Sequence, residues 1–157
     1  MISSSHQVAT ISNIKGNFIS NKDSAINNEY NDYQVPDGNS GVDHTFIYSK
    51  IEKVIDSVFY ENEGTTGAAI KNRGTIGEIT NSTFISNLAS SNSGNASGGA
   101  ISNYGTIGQK DVDGNLVGGI INSNFINNYA SATGENALAL GGAIYSTKDL
   151  NLSLIHI

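Results

Sequence analysis

The chain has 157 residues, including 18 Gly, one Pro and no Cys, with a formal net charge of −6 and a sequence pI near 4.8. The lack of cysteine excludes disulfides and thiolate metal centres, and an acidic body attracts neither a phosphate backbone nor an anionic membrane surface. Only 14% of residues are charged and the eight Lys and Arg are scattered along the sequence, so no basic patch is expected and nucleic acid drops out as a partner.

In chain order, Met1 to Ser5 shows neither the basic nor the apolar region of a secretory signal. Ile14 and then Phe18-Ile19-Ser20-Asn21 open the first repeat unit. A polar stretch of more than twenty residues follows, from Lys22 to His44, with Tyr30, Tyr33, Pro36, Asp37, Asp43 and His44 in it. Its polarity and acidity predict a disordered or loosely folded flap. Tyr30, Tyr33, Asp43 and His44 are its candidate recognition residues, since exposed rings give large contact area at modest entropic cost and suit a host glycan or a surface protein. Thr45-Phe46-Ile47-Tyr48 closes the unit.

Three further units repeat the pattern: Phe59-Tyr60-Glu61-Asn62, Phe84-Ile85-Ser86-Asn87 and Phe125-Ile126-Asn127-Asn128 alternate with Gly67-Ala68-Ala69-Ile70, Gly98-Gly99-Ala100-Ile101 and Gly141-Gly142-Ala143-Ile144. Phe59 to Phe84 is 25 residues, while Phe18 to Phe59 and Phe84 to Phe125 are both 41, so the shortest unit is about 25 and the others carry insertions. No segment sustains the i, i+3, i+4, i+7 apolar spacing of a helix. Short β-favouring runs such as Ile79 to Ile85 end in Asn and Gly, which predicts strands between tight turns. A unit of this size cannot bury its own apolar face, so copies must stack.

Aligned on Phe, the copies form apolar columns: Ile51 and Ile76 eight residues before it, Val54, Ile79 and Ile120 five before it, then Phe18, Phe59, Phe84 and Phe125. An odd step of five cannot keep Ile79 and Phe84 on one side of a straight strand, so a corner is expected between them, at Asn81-Ser82 and its counterparts Asp56-Ser57 and Asn122-Ser123. In the first unit Ile14 stands only four before Phe18. Three residues after each Phe come Asn21, Asn62, Asn87 and Asn128. At a stacking distance of roughly 4.8 Å their amides form a ladder; the plainer reading is that Asn, 21 residues of the chain, is simply a good turn residue. Ile101 and Ile144 refill the interior after the small residues of the Gly motif.

Tandem alternation of Gly-Gly-Ala-Ile with Phe-x-x-Asn resembles the repeats of polymorphic outer-membrane proteins and of autotransporter passengers and adhesins, over residues from about 11 to 151. Asn72-Arg73-Gly74-Thr75-Ile76-Gly77 and Asn103-Tyr104-Gly105-Thr106-Ile107-Gly108 strengthen the resemblance; Gly67-Ala68-Ala69-Ile70 lacks the second Gly, and Thr45 to Tyr48 stands where the first Gly motif is expected. The resemblance implies a right-handed parallel β-helix, here of about four coils and roughly 20 Å, cut from an exported protein at the cell surface or secreted. An exported protein without a signal is expected to be a fragment. Leu152-Ser153-Leu154-Ile155-His156-Ile157 matches the translation of a transposase adapter used in sequencing libraries, and the sequence reading excludes those six residues, leaving 1–151 as the repeat region.

Four insertions are expected to project from one corner of the stack: 22–44, 63–66, 88–97 and 129–140, either as recognition loops or as neutral surface variation. Gln109 to Gly118 falls at another corner. Within it Asp111, Asp113 and Asn115 alternate as at the start of a calcium loop, but the later ligands are missing and the run also suits a simple turn. An enzyme acting on polysaccharide is the second function class; it needs two carboxylates about 5 to 9.5 Å apart. The column two after Phe reads Ser20, Glu61, Ser86, Asn127, which supplies one Glu. The reading is therefore a non-catalytic structural or adhesive rod with no cofactor.

Overall fold

Like residues stack on like. Phe18, Phe59, Phe84 and Phe125 are parallel register partners, and so are Ile26, Ile70, Ile101 and Ile144. The computed structural model describes residues 4–29, 31–36 and 42–156, and among these the chain is all-β, without a helix, in sheets that are mostly parallel. In the parallel sheets equivalent strands of successive tiers lie side by side, so strands far apart in sequence become neighbours.

The apolar columns make the core. Ile11, Ile51, Ile76 and Ile107 pair in one column, and Ile14, Val54, Ile79 and Ile120 in the next. Val54, Phe59, Ile70, Ile76, Ile79, Phe84, Ile101, Ile107 and Ile120 are fully buried in a single cluster. The rings stack almost face to face, with centroids 4.8, 4.7 and 4.6 Å apart, because in-register strands hold them at the strand spacing.

Two corners flank each Phe. Asp56, Asn81 and Asn122 adopt left-handed backbone with φ of 46°, 51° and 47°, and Ser20, Glu61, Ser86 and Asn127 do so with φ of 51° to 53°. These turns let an odd sequence step keep both Ile79 and Phe84 inside. The first tier spans the earlier corner with one residue fewer, since Ile14 pairs with Val54 and Asn17 with Val58; there the Gly16 N–H donates to Ser57 Oγ at 3.2 Å. A third corner is set by Gly98, at φ +62°, where an added Cβ would lie 2.1 Å from the Ile101 carbonyl oxygen.

The structure corrects four expectations. Thr45 to Tyr48 does not replace the first Gly motif: it lies in the strand Val42–Ile55, beside Ser4–Ile14, and the true counterpart is Ser24-Ala25-Ile26, with Ile26 register-paired to Ile70. The first insertion therefore leaves from the corner after Asn28, not from the one shared by the others. It is not a loose flap where it is described, because Asn31–Pro36 pairs antiparallel with residues 42–47. The insertions 88–97 and 129–140 are stacked strands rather than free loops: Leu88–Ser91 pairs with Tyr129–Ala132, and Ala96–Ser97 with Ala139–Leu140. Leu152–His156 forms a strand parallel to Gly119–Ile126, with Leu152 over Ile120, which concerns its place in the fold and not the origin of its sequence.

Candidate functional site

The asparagines form a continuous amide ladder. Asn21 Nδ2 donates to Asn62 Oδ1 at 2.7 Å, Asn62 Nδ2 to Asn87 Oδ1 at 2.8 Å, and Asn87 Nδ2 to Asn128 Oδ1 at 2.8 Å. Each amide also donates back to the Phe carbonyl of the tier below: Asn62 to Phe18, Asn87 to Phe59, Asn128 to Phe84. A second ladder, not anticipated, runs through Asn28, Asn72, Asn103 and Ser146 with contacts of 2.7, 2.7 and 2.9 Å. Its signal was present as Ala-Ile-x-Asn, shared by residues 25–28, 69–72 and 100–103. A third runs through the corner hydroxyls, with the backbone N–H of Ser57 donating to Ser82 Oγ at 3.3 Å and that of Ser82 to Ser123 Oγ at 3.2 Å. No buried side-chain N or O atom among the described residues lacks a partner.

Insertion lengths shape the outer surface. The first two tiers cross the Asn corner in a few residues whereas the third and fourth extend by a paired strand, leaving a ledge. A groove there is lined by Ser20, Lys22, Glu61, Glu63, Ser86, Leu88 and Tyr129, and so crosses all four tiers. Its charges are already engaged. Lys22 Nζ lies 2.6 Å from Glu63, and Glu61 hydrogen-bonds Tyr60, which holds that phenol above its ordinary range. Lys15 stands 2.8 Å from Asp56 and, by that hydrogen bond, holds its carboxyl below the usual range.

Asp111, Asp113 and Asn115 sit at the tip of the antiparallel hairpin formed by Gln109–Lys110 and Leu116–Val117. Asp111 Oδ1 accepts from the N–H groups of Asn115 at 2.9 Å and Asp113 at 3.0 Å, and Oδ2 accepts from Asn115 Nδ2 at 3.2 Å. Those donors, the Asn115 N–H foremost, lower the carboxyl's pKa. The Asp-Val-Asp-Gly-Asn pattern thus satisfies a turn with its own amides, and among the described residues no group of three or more His, Asp or Glu converges as a metal site would require.

Of the candidate recognition residues, Tyr30 lies outside the described residues. Tyr33, Asp43 and His44 are brought together by the antiparallel pair of 31–36 with 42–47, where Tyr33 is register-paired to Thr45, Asp43 to Val35 and His44 to Gln34. That hairpin springs from the corner at Glu29. Glu29 Oε1 accepts a 2.6 Å hydrogen bond from Lys71, which, against partial burial, holds the carboxyl below its usual range with help from the Lys71 and Arg73 charges.

Arg73 and Lys148, 75 positions apart in sequence, line one groove around Tyr104. The fold places residues 73, 104 and 147–148 at one corner of successive tiers, with the N–H groups of Arg73, Tyr104 and Thr147 donating to the carbonyls of Asn28, Asn72 and Asn103.

Set against known proteins, the chain matches no family profile, no curated protein and no solved structure.

Proposed function

We propose that the chain is a segment of a right-handed parallel β-helix serving as a non-catalytic structural or adhesive rod in an exported protein of the autotransporter-passenger or adhesin kind. Such a rod acts at the cell surface or after secretion, continues into neighbouring repeats of a longer chain anchored in the outer membrane, and holds hairpins and ledges away from the cell. The observation that carries the reading is the unbroken four-tier stack of Phe and Asn, a rigid repeat whose variation falls at its corners. A polysaccharide-cleaving enzyme on the same scaffold would need carboxylates free to act, and Glu63 is held by Lys22.

An antibody raised against the folded chain tests the reading. It is expected to label intact cells of the source organism and the surface-exposed product in shaved-cell digests. Labelling only after permeabilisation would overturn it, as would release of reducing ends from acidic or neutral polysaccharides by the purified chain.

A further inference from the structure

We propose that the groove between Arg73, Tyr104 and Lys148 binds an anionic saccharide, a sugar ring carrying a carboxylate or a sulfate. This deepens the rod reading by naming a ligand class, and rests on it only for the rigid spacing of the tiers. Arg73 lies on the second tier, Tyr104 on the third and Lys148 on the fourth, so the two cations stand on the order of 10 Å apart along the stack, at two strand spacings. The groove floor is Gly74, Thr75, Gly105 and Thr106, with Thr75 and Thr106 in register.

Each part has a physical reason to be there. The Arg73 guanidinium is exposed, 5.7 Å from the Tyr104 ring centroid, and its fork matches the two oxygens of a carboxylate or sulfate. Tyr104 is held in place: its hydroxyl is 3.1 Å from Ser97 Oγ, and its ring packs against Tyr145 in a T-shaped pair with centroids 5.9 Å apart. At Gly105 an added Cβ would lie 2.0 Å from the Gly74 carbonyl oxygen, so glycine is what lets the two tiers under the groove stack this closely. Lys148 supplies a second, exposed charge.

The chemistry separates this ligand from others. The backbone N–H groups of Tyr104 and Thr106 are spent on the Asn72 and Gly74 carbonyls, so a peptide finds no free edge on which to add a strand. A body of net charge −6 repels long polyanions everywhere except over a local cluster of cations. Glu29, paired with Lys71 at 2.6 Å, also lies within electrostatic reach of Arg73, so removing that carboxylate should strengthen binding.

The test is calorimetric titration of the full chain with a heparin tetrasaccharide, a hyaluronan tetrasaccharide, a neutral cello-oligosaccharide and a poly-glutamate peptide. Saturable binding of heparin with or without hyaluronan, and none of the neutral sugar, is expected. Hyaluronan binding assigns the carboxylate as sufficient, and heparin alone assigns the sulfate. Arg73→Ala and Lys148→Ala should each weaken binding at least about fivefold with unchanged melting, Glu29→Gln should tighten it, and Lys22→Ala and Lys53→Ala, whose lysines pair elsewhere, should leave it unchanged. No binding by the wild-type chain, equal binding by Arg73→Ala and Lys148→Ala, or poly-glutamate binding as tight as heparin would overturn the proposal. Failure here with an intact strand-rich spectrum leaves the rod standing, whereas failure of cell-surface labelling leaves the groove untouched.

Discussion

Asn87 shows what a single ladder residue does. Its Oδ1 accepts from the Asn62 backbone N–H at 3.1 Å and from Asn62 Nδ2, while its own amide donates to Asn128 and to the Phe59 carbonyl, with Asn87 itself fully buried. Asn87→Ala leaves several buried groups unpaired and is expected to cost about 3 kcal/mol in a thermal or denaturant melt. Asn92→Ala, on the exposed turn of the third-tier extension, should change stability by under about 0.5 kcal/mol. Phe84→Ala removes a ring sandwiched between two others and should cost about 3 to 5 kcal/mol. The Phe and first Asn columns were legible because the same residue recurs at a constant offset. The second ladder was not, because its fourth rung is Ser146 and its first follows Ser24-Ala25-Ile26, which shares only Ala-Ile with the Gly motif.

The same scale carries a pH dependence. Glu29, hydrogen-bonded by Lys71, has a folded-state pKa below its unfolded value. A depressed carboxylate contributes stability that is present above the unfolded pKa and lost as pH falls through the folded one. The melting temperature should therefore decline more steeply on acidification in the wild-type chain than in Glu29→Gln, with the gap closing below the glutamate range.

At the scale of elements, length variation was legible but its form was not. The polar run from Lys22 to His44 shows no clean alternation, and its strands Asn31–Pro36 and Val42–Ile55 arise from pairing supplied by each other and by Ser4–Ile14. Tertiary pairing decided what composition left open. Likewise Leu88–Ser91 is β because Tyr129–Ala132 lies beside it. The hairpin of residues 109–118 behaves differently, since among the described residues its two strands pair only with each other and Val112 at its tip is fully exposed. Replacing residues 110–117 by a two-residue turn should shift stability by less than about 1 kcal/mol. Because Asp111 is occupied by its own loop amides, millimolar calcium should leave the melting temperature of the intact chain unmoved.

For the whole molecule, the two ends of the described stack carry the least-covered parts of the core: Ile14, Phe18 and Ala25 on one side, Ala143, Ile144 and Leu150 on the other, each only partly buried. Along the outside, Ile19, Tyr60, Ile85 and Ile126 share one column, with Ile19 and Ile126 at 56% and 46% exposure. Parallel edges and a stripe of this kind favour association, so sedimentation at micromolar concentration should show species larger than a monomer. A clean monomer would count against it. The all-β, mostly parallel arrangement was legible because repetition constrains every copy together. Which cations share a groove was not, because Arg73 and Lys148 line one surface only once the second, third and fourth tiers are stacked in register.

The rungs of the asparagine ladders also share one direction. From Asn21 upward, each amide gives its proton to the next tier and none gives it back through Oδ1; the chain from Asn28 to Ser146 runs the same way. In the first ladder the two poles are unlike: the Asn21 end offers a carbonyl oxygen, the Asn128 end an N–H. Copies meeting head to head along that ladder would set like against like, so end-to-end assembly of this unit is expected to be one-way, with its two tips lengthening differently.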